Sequence, residues 1–374
     1  MNKKEISEIK KQFTPDRCAI SKIALCYVDG EKNKVSVTAG SFSTLEEEEQ
    51  FKYFAIIRRV LSSSLGRSTL NMEFSLDQEE TGTPHDLLMQ LNASALEDNG
   101  LLDKFYDAVI AGYDTAENYL IVTIHADYDV PGKAKDNSEM FDASEEVYSY
   151  ILSAVCPVSL AKPALAFDAE ANTFRDRIRD RIVAAPVFGF LFPAFNDRST
   201  DIHSLLFYSK KADELPTDYI DSVLGCALPV TAGAQKETFA ELIQETLGDR
   251  CDFATVKNIH DQLHELTEKA KDSPDPVMLD EGDIKAILEQ SGADDEKMEN
   301  FAGRFEKAAG ENMEFNAGNL TDGKKFEVHT PDIEILVSPD RTDLIEQKEV
   351  DGRSCLVIPV TDEVTVNGIK IRDI

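Results

Sequence analysis

The stretch of this chain that most restricts its fold is PVFGFLFPAF, residues 186–195. Four phenylalanines fall within eight residues there, which makes it the most aromatic stretch of the protein. Aromatic side chains at this density must be withdrawn from water, so we expect a sheet that is buried on at least one face. The segment HSLLFYSK, residues 203–210, follows the polar turn NDRSTD and is predicted to be a further strand.

Apolar residues earlier in the chain alternate between strand and helix spacing. The segments IALCYV and VSVTAG, on either side of the turn signal Asp29-Gly30, predict a β-hairpin. The spacing of apolar residues over 44–65 predicts a helix, and residues 119–128 predict a strand. The segment 131–144 is polar and contains proline and glycine, so it is predicted to be a loop.

The second half of the chain becomes helical and then returns to strand patterns. Helix spacing dominates from about residue 235 to 310, and short apolar runs separated by turn signals such as VDGR and VNGI follow. We therefore expect an α+β protein in three parts. A mixed, largely antiparallel sheet unit over residues 1–234 precedes a helical segment over 235–310 and a small C-terminal β unit over 311–374.

The charge of the chain restricts its partners. It contains 70 Asp and Glu against 39 Lys and Arg, which gives a formal net charge of −31. This excess opposes nonspecific electrostatic binding to nucleic acid or to anionic lipid. Direct nucleic-acid binding is therefore not expected from the charge of the chain. A phosphate-binding surface would require a local basic patch.

The expected compartment is a reducing cytoplasm. The first residues, MNKKEISEIKKQF, lack the apolar run of a secretory signal, and no run of 18 apolar residues predicts a membrane span. The six cysteines are scattered, form no CxxC pair and mostly lie beside apolar residues. That pattern is typical of small buried side chains rather than of a zinc or redox motif.

A first candidate site lies at the end of the strand YLIVTIHADYD, residues 119–129. His125, Asp127 and Asp129 alternate along it and therefore share one face. Imidazole and carboxylates suit Zn²⁺, Mn²⁺ or Fe²⁺, and a divalent metal there could activate water for hydrolysis. The interpretation that we favour is a strand with one buried face and one face in water. The buried face would then consist of Val122, Ile124, Ala126 and Tyr128.

A second candidate site is the polar segment between the two apolar strands around residues 188–209. Arg198 could clamp a carboxylate or phosphate, and Asp201 could orient His203 as a base. The alternative is a turn whose Asn and Asp side chains satisfy their own backbone. The predicted ligand-binding residues of this segment are Asn196, Asp197, Arg198, Asp201 and His203.

A third candidate site is the basic run FRDRIRDRI, residues 174–182. In an extended chain its arginines would share one face and could follow a row of phosphates. In a helix, Phe174, Ile178 and Ile182 would align and the arginines would form surface ion pairs, and we favour this helical interpretation. The predicted phosphate-binding residues are Arg175, Arg177, Arg179 and Arg181.

Three stretches together resemble a known family. They are KKEISEIKKQFTPDRC, PVFGFLFPAFNDRSTDIHSLLFYSK, and PDIEILVSPDRTDLIE with VDGRSCLVIPV and VTVNGI. Together they are similar to a family of bacterial cytosolic proteins known only as a domain of unknown function, number 4317. The resemblance covers essentially the whole chain and implies no activity. Residues 280–360 also resemble the C-terminal part of nucleoid-associated proteins of the 37-kDa class.

These observations favour a cytosolic, acidic, non-enzymatic binding or interaction protein, with a protein partner or a small ligand. No nucleotide-binding or nucleophile motif is present, and no cofactor is expected. The first alternative is a metal-dependent hydrolase that uses the strand 125–129 or the loop 196–203. It predicts that these two polar groups meet in one pocket, with 131–144 as a lid. The second is a nucleoid-associated protein. A homodimer is the default expectation for the assembly.

Overall fold

The computed structural model describes residues 1–62, 64–133, 139–293, 298–310, 313–359 and 364–370, and only the backbone for residues 133 and 139–145. The chain divides into two compact units, residues 1–231 and 232–374. Within the described residues, no helix is long and apolar enough to cross a membrane.

The first unit is built on an eight-stranded antiparallel sheet. Its long path runs in the order β2-β1-β4-β5-β9-β12-β3, and β8 pairs with the end of β5 beside β9. The strands of this unit are β1 Ile20–Val28, β2 Lys34–Ser41, β3 Thr69–Glu73, β4 Asn118–Lys133, β5 Glu139–Leu160, β6 Leu165–Asp168, β7 Thr173–Asp176, β8 Arg181–Val183, β9 Phe188–Phe192, β10 Ala194–Asn196, β11 Ser199–Asp201 and β12 Ser204–Ser209.

Helices cover both faces of this sheet. They are α1 Lys3–Lys10, α2 Glu47–Val60, α3 Pro84–Ala93, α4 Asn99–Gly112 and α5 Thr217–Tyr219, which continues as a π-helical turn over Ile220–Leu224. One core lies between the sheet and α3, α4 and the π-helical turn, and the other lies between the sheet and α1 and α2. The strand β9 is buried at every residue, which confirms the buried sheet predicted from the aromatic stretch.

Side-chain alternation assigns each strand residue to one of the two cores. In β4, Ile121 belongs to the α3–α4 core, whereas Val122 and Ile124 belong to the α1–α2 core. Phe190 packs against Phe105 of α4 with ring centroids 6.2 Å apart. The sheet is therefore an internal layer, and the polar residues Thr123 and His125 in the middle of β4 lie beneath a helix rather than in water.

The second unit surrounds a single core. Its helices are α6 Ala232–Leu247, α7 Phe253–Lys269, α8 Glu281–Gln290, α9 Phe301–Ala309 and α10 Ala317–Leu320. Its strands pair two by two: β13 Met278–Leu279 with β14 Phe315–Asn316, β15 Phe326–His329 with β16 Glu334–Val337, β17 Glu346–Val350 with β18 Arg353–Val357, and β19 Thr365–Val366 with β20 Ile369–Lys370. The α+β class is confirmed.

Two local predictions are wrong. The predicted loop 131–144 instead continues the sheet, since residues 131–133 belong to β4 and 139–144 to β5, while residues 134–138 lie outside the described chain. The predicted helix over 174–182 is absent because residues 173–176 pair with 165–168 and residues 181–183 pair with β5. In both places strand pairing overrides the local sequence pattern.

Candidate functional site

The ring of His125 is buried and satisfied by hydroxyl groups. Its Nδ1 lies 2.7 Å from Oγ of Ser21, and its Nε2 lies 3.0 Å from Oγ of Ser149. Burial lowers the pKa of His125 below its ordinary value of 6.5, although the Asp127 carboxylate, 3.9 Å from Nδ1, opposes that shift. These contacts are those of a structural histidine in a sheet.

The prediction that one face of the strand 123–129 lies in water is correct for two of the four residues on that face. Asp127 and Asp129 are exposed, but Thr123 and His125 are buried. The reason is α3, whose Asn92 donates from Nδ2 to the backbone oxygen of Ser149, 3.1 Å away. Across the described parts of the chain, no three His, Cys, Asp or Glu side chains are arranged to hold a metal ion.

The polar segment 194–201 is a short β-hairpin. Strand β10 pairs with β11, and the turn residues Asp197 and Arg198 both have positive φ, 51° and 59°. Two left-handed residues in a two-residue connection are the signature of a type I′ turn. Asn196 precedes the turn and Asp201 ends the second strand, and Nδ2 of Asn196 donates to Oδ2 of Asp201 over 2.6 Å.

Hydrogen bonds hold Asp201 in its ionised form. Burial acts to raise its pKa, but donors from Asn196, Ser204 and the backbone N–H of His203 outweigh burial and bring the pKa below 3.8. The ring of His203 turns away, and its Nδ1 lies 2.5 Å from Oε1 of Glu79. Asp201 therefore hydrogen-bonds to the backbone of His203 and not to its ring. This is the arrangement of a turn whose side chains satisfy their own backbone, not that of an acid–base pair.

Arg198 is engaged inside the protein. Its guanidinium donates to both carboxylate oxygens of Glu8 in α1, and its Nη2 also lies 3.1 Å from the backbone oxygen of Pro131. Tyr128 donates to the same carboxylate over 2.9 Å. This arginine therefore ties the hairpin to α1 and to β4.

The two polar clusters do not share one face of the sheet. His125 is on the face of the sheet that α3 covers, whereas Phe195 and the Arg198–Glu8 pair lie on the side of α1. His203, the last residue of the second cluster, lies beside Glu79 instead. The separation of His125 from Arg198 does not support a hydrolase that uses both clusters in one pocket.

The four predicted phosphate-binding arginines are spread over an extended segment. Arg175 pairs with Asp168 over 3.1 Å, and Nε of Arg179 donates to the backbone oxygen of Ala161 over 2.7 Å. Arg181 lies further along, where its Nη1 donates to the hydroxyl of Tyr27 over 2.7 Å. Arg181 borders a cavity.

That cavity is a groove of about 820 Å³ between α2 and the segment 181–186, which we call the α2 groove. Ala55 of α2 and Ala184 and Ala185 of the segment 181–186 line it, and these small side chains fill little of the space. Its residues are Glu49, Lys52, Tyr53, Ala55, Ile56, Arg59, Leu120, Arg181, Ile182, Val183, Ala184, Ala185 and Pro186.

Three cations border the α2 groove. Arg59 is positioned by a hydrogen bond from its Nε to the hydroxyl of Tyr208, 3.2 Å away, and Arg181 is positioned by Tyr27. Lys52 has no carboxylate within 4 Å among the described residues. The opposing charge is Glu49, which accepts a hydrogen bond from Tyr53 at 3.4 Å.

Basic residues also gather near the C-terminal end of α2. Partial burial lowers the pKa of Lys10, and the positive charges of Arg58 and Arg59 lower it further. A chain with a net charge of −31 therefore concentrates cations on this side of its sheet. This is the local basic patch that an anion-binding surface requires.

The sequence contains a signal for one wall of the α2 groove. Lys52, Ile56 and Arg59 are spaced at i, i+4 and i+7 in a predicted helix and therefore share one side of it. What the pattern could not supply was the opposite wall, because residues 181–186 reach α2 only through the pairing of β8 with β5.

Comparisons with known proteins give one match. Neither a curated protein nor a solved structure matches the chain, and the likeness of residues 280–360 to nucleoid-associated proteins is not shown. One family model, described as "Domain of unknown function (DUF4317)", matches residues 1–369. This match confirms the family resemblance of the three sequence stretches. The chain belongs to the DUF4317 family.

Proposed function

We propose that this protein is a non-enzymatic binding protein whose α2 groove holds a small organic anion with an apolar body. The observation that carries the proposal is the combination of an open apolar groove with three cations in a strongly acidic chain. Pockets of 300–1,000 Å³ with a few placed polar groups are typical of small-molecule sites.

The lining of the groove offers apolar surface for the body of a ligand and hydrogen-bond donors for its anionic group. Ile56, Leu120 and Val183 offer apolar surface, where burial of a hydrocarbon body contributes about 25 cal/mol per Å². Lys52, Arg59 and Arg181 offer donors to a carboxylate, sulfonate or phosphate. The acidic remainder of the chain does not cancel them, because ions screen charges beyond about 10 Å at ordinary ionic strength.

Binding is proposed rather than catalysis because of the residue types in the lining. The described lining contains no serine, threonine, cysteine, histidine or aspartate, so it lacks the Ser–His and Cys–His pairs that are common in nucleophilic catalysis. The six cysteines are free, three of them buried, which supports a reducing cytoplasm as the compartment.

The test uses two fluorescent probes that differ in one charge. 8-Anilinonaphthalene-1-sulfonate carries the aromatic body and an anion, whereas N-phenyl-1-naphthylamine carries the same body without the sulfonate. We expect the sulfonate probe to bind the intact chain more tightly. The double variant Lys52→Gln with Arg59→Gln should weaken binding of the sulfonate probe at least tenfold, which corresponds to about 1.4 kcal/mol. It should leave the affinity for the neutral probe unchanged.

Two further variants separate the groove from other surfaces. Ala55→Trp fills the groove and should abolish binding of both probes. Arg58→Gln removes a neighbouring cation that is not part of the lining and should leave both affinities within about twofold. Near-ultraviolet circular dichroism must show that each variant is folded, because partly unfolded chains also bind the sulfonate probe. Unchanged sulfonate-probe binding in folded Ala55→Trp would overturn the proposal.

A further inference from the structure

The segment 161–180 of the first unit forms a β-ribbon whose apolar side chains face solvent. Strands β6 and β7 pair only with each other and are connected at residues 169–172. Four large apolar side chains of this ribbon are exposed: Leu165 by 74%, Phe167 by 55%, Phe174 by 67% and Ile178 by 76%. This is the densest group of exposed apolar side chains within the described part of the first unit.

The ribbon has two different faces. Phe167 lies directly opposite Phe174, with ring centroids 5.4 Å apart, and Leu165 shares their face by strand alternation. The other face carries the ion pair between Arg175 and Asp168. One face is thus satisfied by charge pairing. The other is largely apolar, with Asp176 opposite Leu165, and its large apolar side chains are exposed.

An isolated two-stranded ribbon with an exposed apolar face requires a partner surface. Such ribbons are marginal in water unless further strands or a packed surface support them. Contiguous apolar patches exposed on a folded protein mark sites of interaction. We therefore expect a partner surface to cover the apolar face of the ribbon.

We propose that the ribbon is covered by the ribbon of a second copy of this chain, in a twofold-symmetric dimer. Four side chains exposed to this extent present on the order of 500 Å² of apolar surface per copy. Two copies would bury about 1,000 Å², which reaches the lower limit of a specific interface. Because a twofold axis presents the same patch from both sides, no second apolar surface is needed.

Charge within the segment is mixed, so the ribbon itself can face a second copy of itself. Arg175, Arg177, Arg179 and Arg181 are interspersed with Asp176 and Asp180. A twofold axis can therefore place arginines of one copy near aspartates of the other. This local attraction acts in a chain whose net charge of −31 otherwise repels a second copy at long range.

The experiment measures the mass of the intact chain in solution between 0.1 and about 100 µM, by light scattering and sedimentation velocity. We expect a dimer that Phe174→Asp converts to a monomer, with a dissociation constant raised at least 100-fold. The matched control is Phe51→Asp, another half-exposed phenylalanine outside the ribbon, which should remain dimeric. Circular dichroism confirms that both variants fold.

A cross-link tests the geometry separately. In Phe174→Cys, oxidation should join two copies through residue 174, whereas a cysteine at position 51 should give no such product. Wild-type protein that stays monomeric at 100 µM would show that a second copy is not the partner and would overturn the proposal. A dimer whose stability Phe174→Asp leaves unchanged would overturn it equally.

Discussion

Arg198 and Glu8 lie 190 residues apart in sequence and form an ion pair with three hydrogen bonds. The shortest contact joins Nη2 to Oε1 over 2.9 Å, and both side chains are about four-fifths buried. The pair connects the tip of the β10–β11 hairpin to the first helix. A polar cluster that resembled a ligand site in the sequence thus stabilises the fold.

We expect Arg198→Ala to lower the free energy of unfolding by about 2 kcal/mol, because it leaves the Glu8 carboxylate partly buried without its cation. Chemical denaturation measures this change. Asp197→Asn is the matched control, since it lies in the same turn at positive φ and keeps the ion pair. Asparagine favours this conformation, so the control should be neutral or slightly stabilising. Equal losses in the two variants would contradict a specific role for the pair.

The local fold was predictable from sequence where burial follows from spacing alone. The strand around 119–128, the hairpin at Asp29-Gly30 and the aromatic strand at 188–192 all follow from apolar periodicity. These patterns report that a face is buried. They do not report what covers it.

The surroundings of the candidate sites were not predictable for that reason. The exposure predicted for His125 depended on an open face, but α3 covers that face from another part of the chain. Phe174, Ile178 and Ile182 fit a helix, yet residues 173–176 instead pair with 165–168. The α2 groove likewise requires a strand and a helix that are more than 100 residues apart. Each depends on contact between separate segments, which spacing within one segment does not encode.

Gly189 allows β9 and α2 to lie close together. A Cβ at this position would lie 2.4 Å from the backbone oxygen of Ser153 and 2.9 Å from Cγ2 of Val60. We expect Gly189→Ala to destabilise the protein by about 1–3 kcal/mol, because the backbone at Ser153 is held by the sheet. Thermal and chemical denaturation measure this change.

Gly40 provides the control for that substitution. It also lies in a strand, β2, but a Cβ there meets no atom within 4 Å. Gly40→Ala should therefore leave the stability unchanged or raise it slightly. A destabilisation by Gly40→Ala as large as that by Gly189→Ala would show that close approach is not the cause.

His125 should make stability depend on pH. Burial holds its folded-state pKa below the ordinary 6.5, so the unfolded chain binds the proton more readily. The stabilisation is therefore complete above pH 6.5 and is lost as the pH falls from 6.5 towards the folded-state pKa, by at most about 1.4 kcal/mol per pH unit. The free energy of unfolding of wild type, measured between pH 7.5 and 5.5, should fall relative to that of His125→Gln.

Comparing the free energies of unfolding of wild type and His125→Gln at each pH cancels the contribution of the other titrating groups, because both proteins contain them. Thr123→Ala is the control, because Thr123 is buried on the same face and does not titrate in this range. Its destabilisation should be independent of pH. A constant difference between wild type and His125→Gln over this range would contradict the assigned role of His125.

We expect the two compact units to fold separately. We do not expect a fragment that ends at residue 310 to fold. Both cores of the first unit lie within residues 1–231. The core of the second unit joins Phe239 to Phe315, Ala317 and Leu320, so the fragment 235–310 would lose three buried side chains that its helices pack against. We expect the fragments 1–231 and 232–374 each to unfold cooperatively on heating, followed by circular dichroism, and 235–310 to show no such transition. A cooperative transition in 235–310 with the midpoint of 232–374 would show instead that the helical segment is a domain of its own.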